Sequence, residues 1–281
     1  MKIDSHQHFW KYNPADHIWI NDTMSILKRD YLPEDLKKEF GKTAIDGSVA
    51  VQASQSEAET NFLISLAKEN KSIKAIVGWA DLRAKNIDER LSYFIDSCTT
   101  IKGFRHVVHD EPNANFILGK AFNYGISQLE KYNLTYDILI FPIHLEATIQ
   151  FIKAHPNQKF IIDHIAKPYI EKKEINVWKS HMQALSTFDN VWCKVSGMVT
   201  ETKWHTWKYE DFEPYLDVVF ESFGTNRVLF GSDWPVCLLS ASYVEVKGII
   251  DQYISKFSEQ EKNKIMGKNA IAFYGIDIQQ K

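Results

Sequence analysis

The chain opens on Met1-Lys-Ile-Asp-Ser-His-Gln-His-Phe-Trp10, a strand-like run carrying two histidines one residue apart. Alternate side chains of a strand share a face, so His6 and His8 project together and Asp4 is expected to project with them. Two imidazoles converging on one point are costly to bury, because each ring nitrogen needs a hydrogen-bond partner or a metal. A divalent ion serves both rings at once. The alternative is a pair of ordinary strand histidines, and the choice between the two turns on residues far downstream, His164 and Asp233.

Seven further runs repeat the β-rich character of the first: Ser48 to Ala53, Lys74 to Leu82, Ile101 to Val108, Tyr136 to Phe141, Lys159 to Ala166, Val191 to Met198 and Arg227 to Trp234. Helical patterns lie between them at Ser56 to Asn70, Ile87 to Cys98, Leu118 to Tyr132, His144 to Ala154, Trp178 to Phe188 and Phe212 to Phe223. Tyr243 to Lys256 and Glu259 to Tyr274 close the chain as helices, and the longest connection, Lys11 to Asp46, holds a short helix at Pro33 to Phe40. Strands alternating with helices, without two-residue hairpin turns, predict a parallel sheet wound by right-handed crossovers. Its simplest closed form is a (β/α)8 TIM barrel of the α/β class, in one domain spanning residues 1–281. An open doubly wound sheet is the rival, but no Gly-x-Gly-x-x-Gly turn follows any strand.

Composition narrows the function classes. The 281 residues are 44% apolar and 25% charged, an ordinary globular balance, and the net charge of −3 comes without a dense Lys/Arg run. Nucleic acid and anionic lipid are therefore not expected partners. There is no basic segment followed by an apolar stretch at the start, and no apolar run of membrane-spanning length, so the expected location is the cytoplasm. Cys98, Cys193 and Cys237 are odd in number and widely spaced, which suits buried thiols rather than disulfides or a Cys-based metal site. Oligomeric state is left open, a homo-oligomer included.

In such barrels chemistry lies at the C-terminal ends of the strands. His6 and His8 stand there after the first strand, Trp79 and Asp81 after the third, Arg105 and His106 in the fourth and His144 after the fifth. His164 and Lys167 follow the sixth, Lys194 and Ser196 lie in the seventh, and Asp233 and Trp234 follow the eighth. Three neutral imidazoles and one carboxylate, from His6, His8, His164 and Asp233, make an N/O site that suits a single Zn²⁺ with a position left open.

Five segments carry a family resemblance: DSHQHFW (Asp4 to Trp10), GFRH with EP (Gly103 to His106, Glu111-Pro112), IDHIAKP (Ile162 to Pro168), CKVSGMVTE (Cys193 to Glu201) and FGSDWPVCLL (Phe230 to Leu239). In order and nearly end to end, the chain resembles the amidohydrolase superfamily, and within it the sugar lactone hydrolases acting on L-fuconolactone and L-rhamnonolactone. The resemblance implies that His6, His8 and His164 are metal-end histidines and that Asp233 ligates or activates water. Binuclear members carry a bridging carboxylated lysine, and the fifth strand here has none, so one metal ion is the most expected. Some lactonases of this branch are understood to work with weakly bound metal or none.

Opening a lactone requires an activated water, a stabilised oxyanion and a protonated leaving oxygen. Asp233, His164, Arg105 and His106 form the candidate catalytic set. Trp79, His144, Lys194, Ser196 and Trp234 form the candidate set for binding a small sugar lactone. Trp10, Trp204 and Trp207 add flat rings beyond strand ends that could stack on a sugar. The Lys11 to Asp46 and Thr200 to Phe212 loops are candidate lids. Two rival functions remain at this stage: another amidohydrolase chemistry, such as non-oxidative decarboxylation of aromatic acids, and a non-enzymatic carbohydrate-binding barrel.

Overall fold

In the computed structural model residues 1–277 are described, so 278–281 of the expected domain lie outside the described residues. The strands are β1 (Ile3–Gln7), β2 (Gly47–Val51), β3 (Ile73–Gly78), β4 (Ile101–Val107), β5 (Thr135–Leu139), β6 (Phe160–Ile162), β7 (Val191–Val195) and β8 (Val228–Phe230). They lie in sequence order with every neighbouring pair parallel. Beyond the last strand, Asp233 N–H donates to the His6 carbonyl at 2.8 Å and His8 N–H to the Trp234 carbonyl at 2.7 Å. Those two bonds tie β8 to β1 and close the barrel beside the histidines.

The surrounding helices are α1 (Pro33–Thr43), α2 (Glu57–Glu69), α3 (Ile87–Ser97), α4 (Lys120–Lys131), α5 (Leu145–Ala154), α6 (Asn176–Ser186), α7 (Glu213–Phe223), α8 (Tyr243–Ile254), α9 (Glu259–Asn263) and α10 (Asn269–Tyr274). None is long and apolar enough to cross a membrane among the described residues. One apolar cluster lies between strands and helices, and a second fills the barrel, with Val49, Val77, Ile161 and Leu229 resting on Phe273 and Tyr274 of α10. The helix expected over Glu259 to Tyr274 is broken between α9 and α10 by a π-turn at Lys264–Lys268. The break brings Gly267 against the start of β1, where a Cβ would lie 2.2 Å from the Met1 carbonyl oxygen, so only glycine fits.

Strand parity is altered at one place that matters. Asp4 lies opposite Ser48 and Gln7 opposite Ala50, three steps on β1 against two on β2, so β1 is bulged. The extra residue reverses the alternation, and Asp4 does not share a face with His6 and His8. Its carboxylate turns instead toward the helical layer, accepting hydrogen bonds from Ser232 Oγ at 2.6 Å and Tyr243 Oη at 3.0 Å. Burial nevertheless pushes the Asp4 carboxyl up to about 6.

β6 also stops earlier than its apolar run suggests. His164, Ile165, Ala166 and Lys167 all have left-handed backbones, with φ of 53°, 49°, 60° and 47°. Four such non-glycine residues in succession are strained by about 1–2 kcal/mol each. They end the strand and bring both His164 and Lys167 to the lining of one cavity.

Candidate active site

His6, His8 and His164 meet at the mouth. The His6 ring centroid lies 4.3 Å from that of His164 and 4.9 Å from that of His8. Asp233 Oδ1 faces the Nε2 atoms of all three, at 3.3 Å from His8 and 3.9 Å from both His6 and His164. Each ring is held by its other nitrogen. His8 Nδ1 lies 2.8 Å from the Val51 carbonyl, which can only accept, so that nitrogen carries the proton and Nε2 keeps a lone pair. His164 Nδ1 is 2.9 Å from Ser196 Oγ, and His6 Nδ1 is 3.3 Å from Asp163 Oδ1.

Burial favours the neutral form of two of the rings, His6 and His164. Burial lowers His164 to about 4 and holds His6 well below its ordinary range. For Asp233, burial acts to raise the carboxyl, but His164, His8 and His6 overcome it and keep it well below the usual carboxylate range. Neutral rings carry no charge that could hold the carboxylate so low, so the arrangement calls for positive charge between the Nε2 atoms and Asp233. The donor chemistry therefore fits a divalent ion held by the three Nε2 atoms and Asp233. His6, His8 and Asp233, and separately His6, Asp163 and His164, each offer ligand atoms within 4.8 Å of one another.

Beneath the histidines lies a buried charge network that the sequence reading does not anticipate. Asp137 on β5 and Lys194 on β7 point into the barrel, since their strand neighbours Tyr136, Ile138, Cys193 and Val195 belong to the outer core. Lys194 Nζ lies 2.5 Å from Asp137 Oδ2, 2.9 Å from Asp163 Oδ1 and 3.1 Å from His6 Nδ1. Arg105 Nη1 lies 3.0 Å from Asp163 Oδ2 and 3.2 Å from His6 Nε2, while Nη2 donates to the Gln52 carbonyl at 2.5 Å. Burial opposes the charge on Asp163, yet Lys194, His6 and Arg105 hold it ionised well below its ordinary range. Asp137, with Lys194 and the Tyr274 hydroxyl as partners, is still pushed up to about 6 by burial.

Above this floor opens a cavity of about 320 Å³, lined by His8, Arg105, His164 and Asp233 at the base and by loop residues around them. The Lys11 to Asp46 connection contributes Trp19 and Met24, and the segment after β7 contributes Thr200, Glu201 and Trp204. His109, Asp110, Phe141 and Lys167 complete much of the wall. Burial, with Lys167 and Arg105 nearby, lowers His109 to about 3, and its ring stacks on Phe141 at 4.6 Å.

Several expected site residues do not line this cavity. Arg105 and His106 are adjacent on β4, so they face opposite ways; His106 stacks on Phe116 at 4.7 Å and bonds Glu111 at 2.6 Å. Trp79 follows it outward, its Nε1 3.4 Å from His106 Nδ1. Lys194 is wholly buried under His6, which is at odds with its expected contact to a sugar. Ser196 reaches the site only through His164. His144 folds its Nδ1 back to the Phe141 carbonyl at 3.2 Å, and Trp234 packs edge-on to Tyr31 at 5.2 Å. Trp10 and Trp207 spend their indole N–H groups on the Arg29 and Ser240 carbonyls. Of the expected aromatic rings, Trp204 alone is a lining residue.

Known proteins are similar to this chain over almost its whole length. Residues 3–276 match the model of the amidohydrolase family. An L-fucono-1,5-lactonase of Burkholderia multivorans is 36% identical, over 98% of this chain and 96% of its own length. An L-fucono-1,5-lactonase of Burkholderia ambifaria is 30% identical, over 98% of this chain and 96% of its own. A crystal structure of an amidohydrolase from Burkholderia multivorans with bound zinc superposes with a TM-score of 0.95 at 37% identity, covering 99% of this chain and all of that one. With the family model matched over almost its whole length and relatives of 30% identity or more covered end to end, the chain belongs to the amidohydrolase family.

Proposed function

We propose that this protein is a hydrolase that opens a sugar-acid lactone, of the L-fuconolactone and L-rhamnonolactone class, to the aldonic acid. The observation that carries this reading is the convergence of Asp233 with three imidazole Nε2 atoms, of which His8 and His164 line the base of one cavity together with Asp233 and Arg105 while His6 lies just behind them. The names of the two Burkholderia relatives point to the same chemistry.

In this reading His6, His8, His164 and Asp233 would hold one divalent ion, with Zn²⁺ favoured by the imidazole-rich set. When bound, such an ion supplies positive charge that acidifies water and polarises an ester carbonyl. Asp233, ionised at neutral pH, accepts the proton of the attacking water as the new C–O bond forms at the lactone carbonyl. Arg105 contributes fixed positive charge as the carbonyl oxygen becomes an oxyanion. When the ring C–O bond breaks, the protonated Asp233 returns its proton to the departing ring oxygen, which becomes the hydroxyl of the product. The new carboxylic acid then ionises, so each turnover releases one proton to solvent. The chain works as one cytoplasmic domain in this account, without nucleic acid or membrane as partner.

A panel of aldonolactones in a weakly buffered pH-indicator assay tests the reading directly. Acid release from fuconolactone or rhamnonolactone above the spontaneous rate is expected. No acceleration with any aldonolactone, together with carbon dioxide release from hydroxybenzoates, would replace it with decarboxylation.

A further inference from the structure

The strained turn after β6 delivers two side chains to one cavity, His164 to the Asp233 cluster and Lys167 to the wall. Lys167 Nζ pairs there with Glu201 Oε1, each side chain 15% exposed. Thr200 Oγ1 donates to the Gly197 carbonyl at 2.9 Å and lies 3.3 Å from Glu201 Oε1, and Trp204 Nε1 donates to the Thr200 carbonyl at 3.2 Å. With its N–H used by the loop, the Trp204 ring offers the cavity an apolar face beside the charged pair.

A sugar lactone differs from a simple cyclic ester by its ring hydroxyls, and each hydroxyl drawn from water needs replacement partners. The groups at the base are committed to Asp233, to Asp163 and to one another. His109 is neutral, stacks on Phe141 and lies 3.3 Å from Asp110 through Nε2. His109 leaves only Nδ1 unpartnered toward a ligand, whereas Lys167 and Glu201 are a lining pair with full complementary capacity: an ammonium has three donors and no acceptor, and a carboxylate only accepts. Two neighbouring hydroxyls need both at once, an N–H toward one oxygen and an acceptor for the other O–H. The ion pair stays compensated when such a diol is inserted beside it. A pair serving only to tie two loops together would not require Lys167 to sit in left-handed backbone, the last of four such residues.

We propose that Lys167 and Glu201 form the subsite that reads adjacent hydroxyls on the lactone ring, as specificity-determining residues outside the reacting centre. The proposal rests on the lactone reading above. It is tested by kcat/KM of the wild type, Lys167→Met, Glu201→Gln and the double variant on a hydrolysed aldonolactone and on δ-valerolactone, a ring without hydroxyls. The ratio of the two values is expected to fall about 10–100-fold in each single variant, the range for hydrogen bonds to charged groups. A parallel loss on both substrates marks the pair as a loop tie and overturns the proposal, as does an unchanged ratio. The double variant leaves no lone buried charge, so it decides the matter where a single variant does not fold. A double variant that is itself unfolded by circular dichroism makes the pair structural and overturns the proposal. A wild type inert toward every aldonolactone defeats the lactone reading itself, a result seen before any variant is made.

Discussion

The floor of the cavity and its wall hold polar side chains by different physical means. On the floor, His6, Arg105, Asp137, Asp163 and Lys194 come from strands or strand ends and are almost completely buried, each fixed by charged partners within about 3 Å. On the wall, Lys167, Glu201, Trp204 and His109 come from loops, and their positions depend on a strained turn, one ion pair and ring stacking. The floor is a shared network, in which Lys194 joins Asp137 to Asp163 and Arg105 braces Asp163, so a change to one member unbalances buried charge on the others. The wall can change residue by residue at little cost to the fold, which is how barrel enzymes vary their substrates.

Substitutions on the floor should therefore strike chemistry or folding, and substitutions on the wall should not. Asp233→Asn is the strongest single test, because it keeps shape and hydrogen bonding while removing the base. The expected result is a fall in kcat of about 10²–10⁴ with the melting temperature little changed; near-normal turnover would remove Asp233 from the mechanism. Lys194→Met should act on stability instead. It strands Asp137 and Asp163 opposite no ammonium, and the expected loss in denaturant unfolding is about 3–5 kcal/mol. Adding Asp137→Asn should restore part of that loss, and a double variant as weak as the single would show the network to be otherwise balanced.

A milder disturbance lies one contact away from the floor. Ser196→Ala removes the partner of His164 Nδ1, and metal affinity is expected to fall about 10–100-fold in a zinc titration, with the stoichiometry still one ion per chain. Two equivalents bound to the wild type would contradict the single-site arrangement.

The smallest effect sits behind the wall, at Glu59 of α2, whose Oε1 accepts the Ala53 N–H at 2.8 Å. Burial pushes Glu59 from 4.5 up to about 7. The folded chain thus binds this proton more tightly than the unfolded one, so stability falls as pH rises from about 4.5 to about 7 and stays lower above it. Glu59→Gln should flatten that slope, raising the melting temperature more at pH 8 than at pH 5. An equal shift at both values would mean Glu59 is not the titrating group.

The same division explains what the amino-acid pattern made readable. The eight strands and the pairing of His6 with His8 follow from period-two alternation, and barrel topology puts His164 and Asp233 at the same end, so these are legible from residues alone, whereas the left-handed backbone that aims His164 and Asp233 is not. That rule also separates Arg105 from His106, because neighbours on a strand cannot both face inward, and treating both as site residues neglects it. The bulge in β1 leaves no compositional mark, so the orientation of Asp4 could not be foreseen. Asp137 and Asp163 did leave one: an acid inside an otherwise apolar strand run is costly unless a buried cation meets it, and Lys194 in VWCKV is the matching lysine. The wall residues His109, Glu201 and Trp19 lie in loops without periodicity, where position in the chain says little about position in space.

The left-handed turn from His164 to Lys167 has a consequence for protein engineering. Most stabilising redesigns search for residues at odds with their backbone, and here four adjoin one another in a single segment. Ala166, wholly buried and at φ 60°, is the natural first choice, since glycine adopts that backbone without the Cβ clash. Ala166→Gly is expected to change the melting temperature little or raise it, against the usual loss for such a substitution, because relieved strain offsets the greater freedom of the unfolded chain. The same relief loosens the aim of His164 and Lys167 together, so turnover should drop even as heat resistance holds. A variant gaining both would mean that the turn's rigidity serves neither side chain.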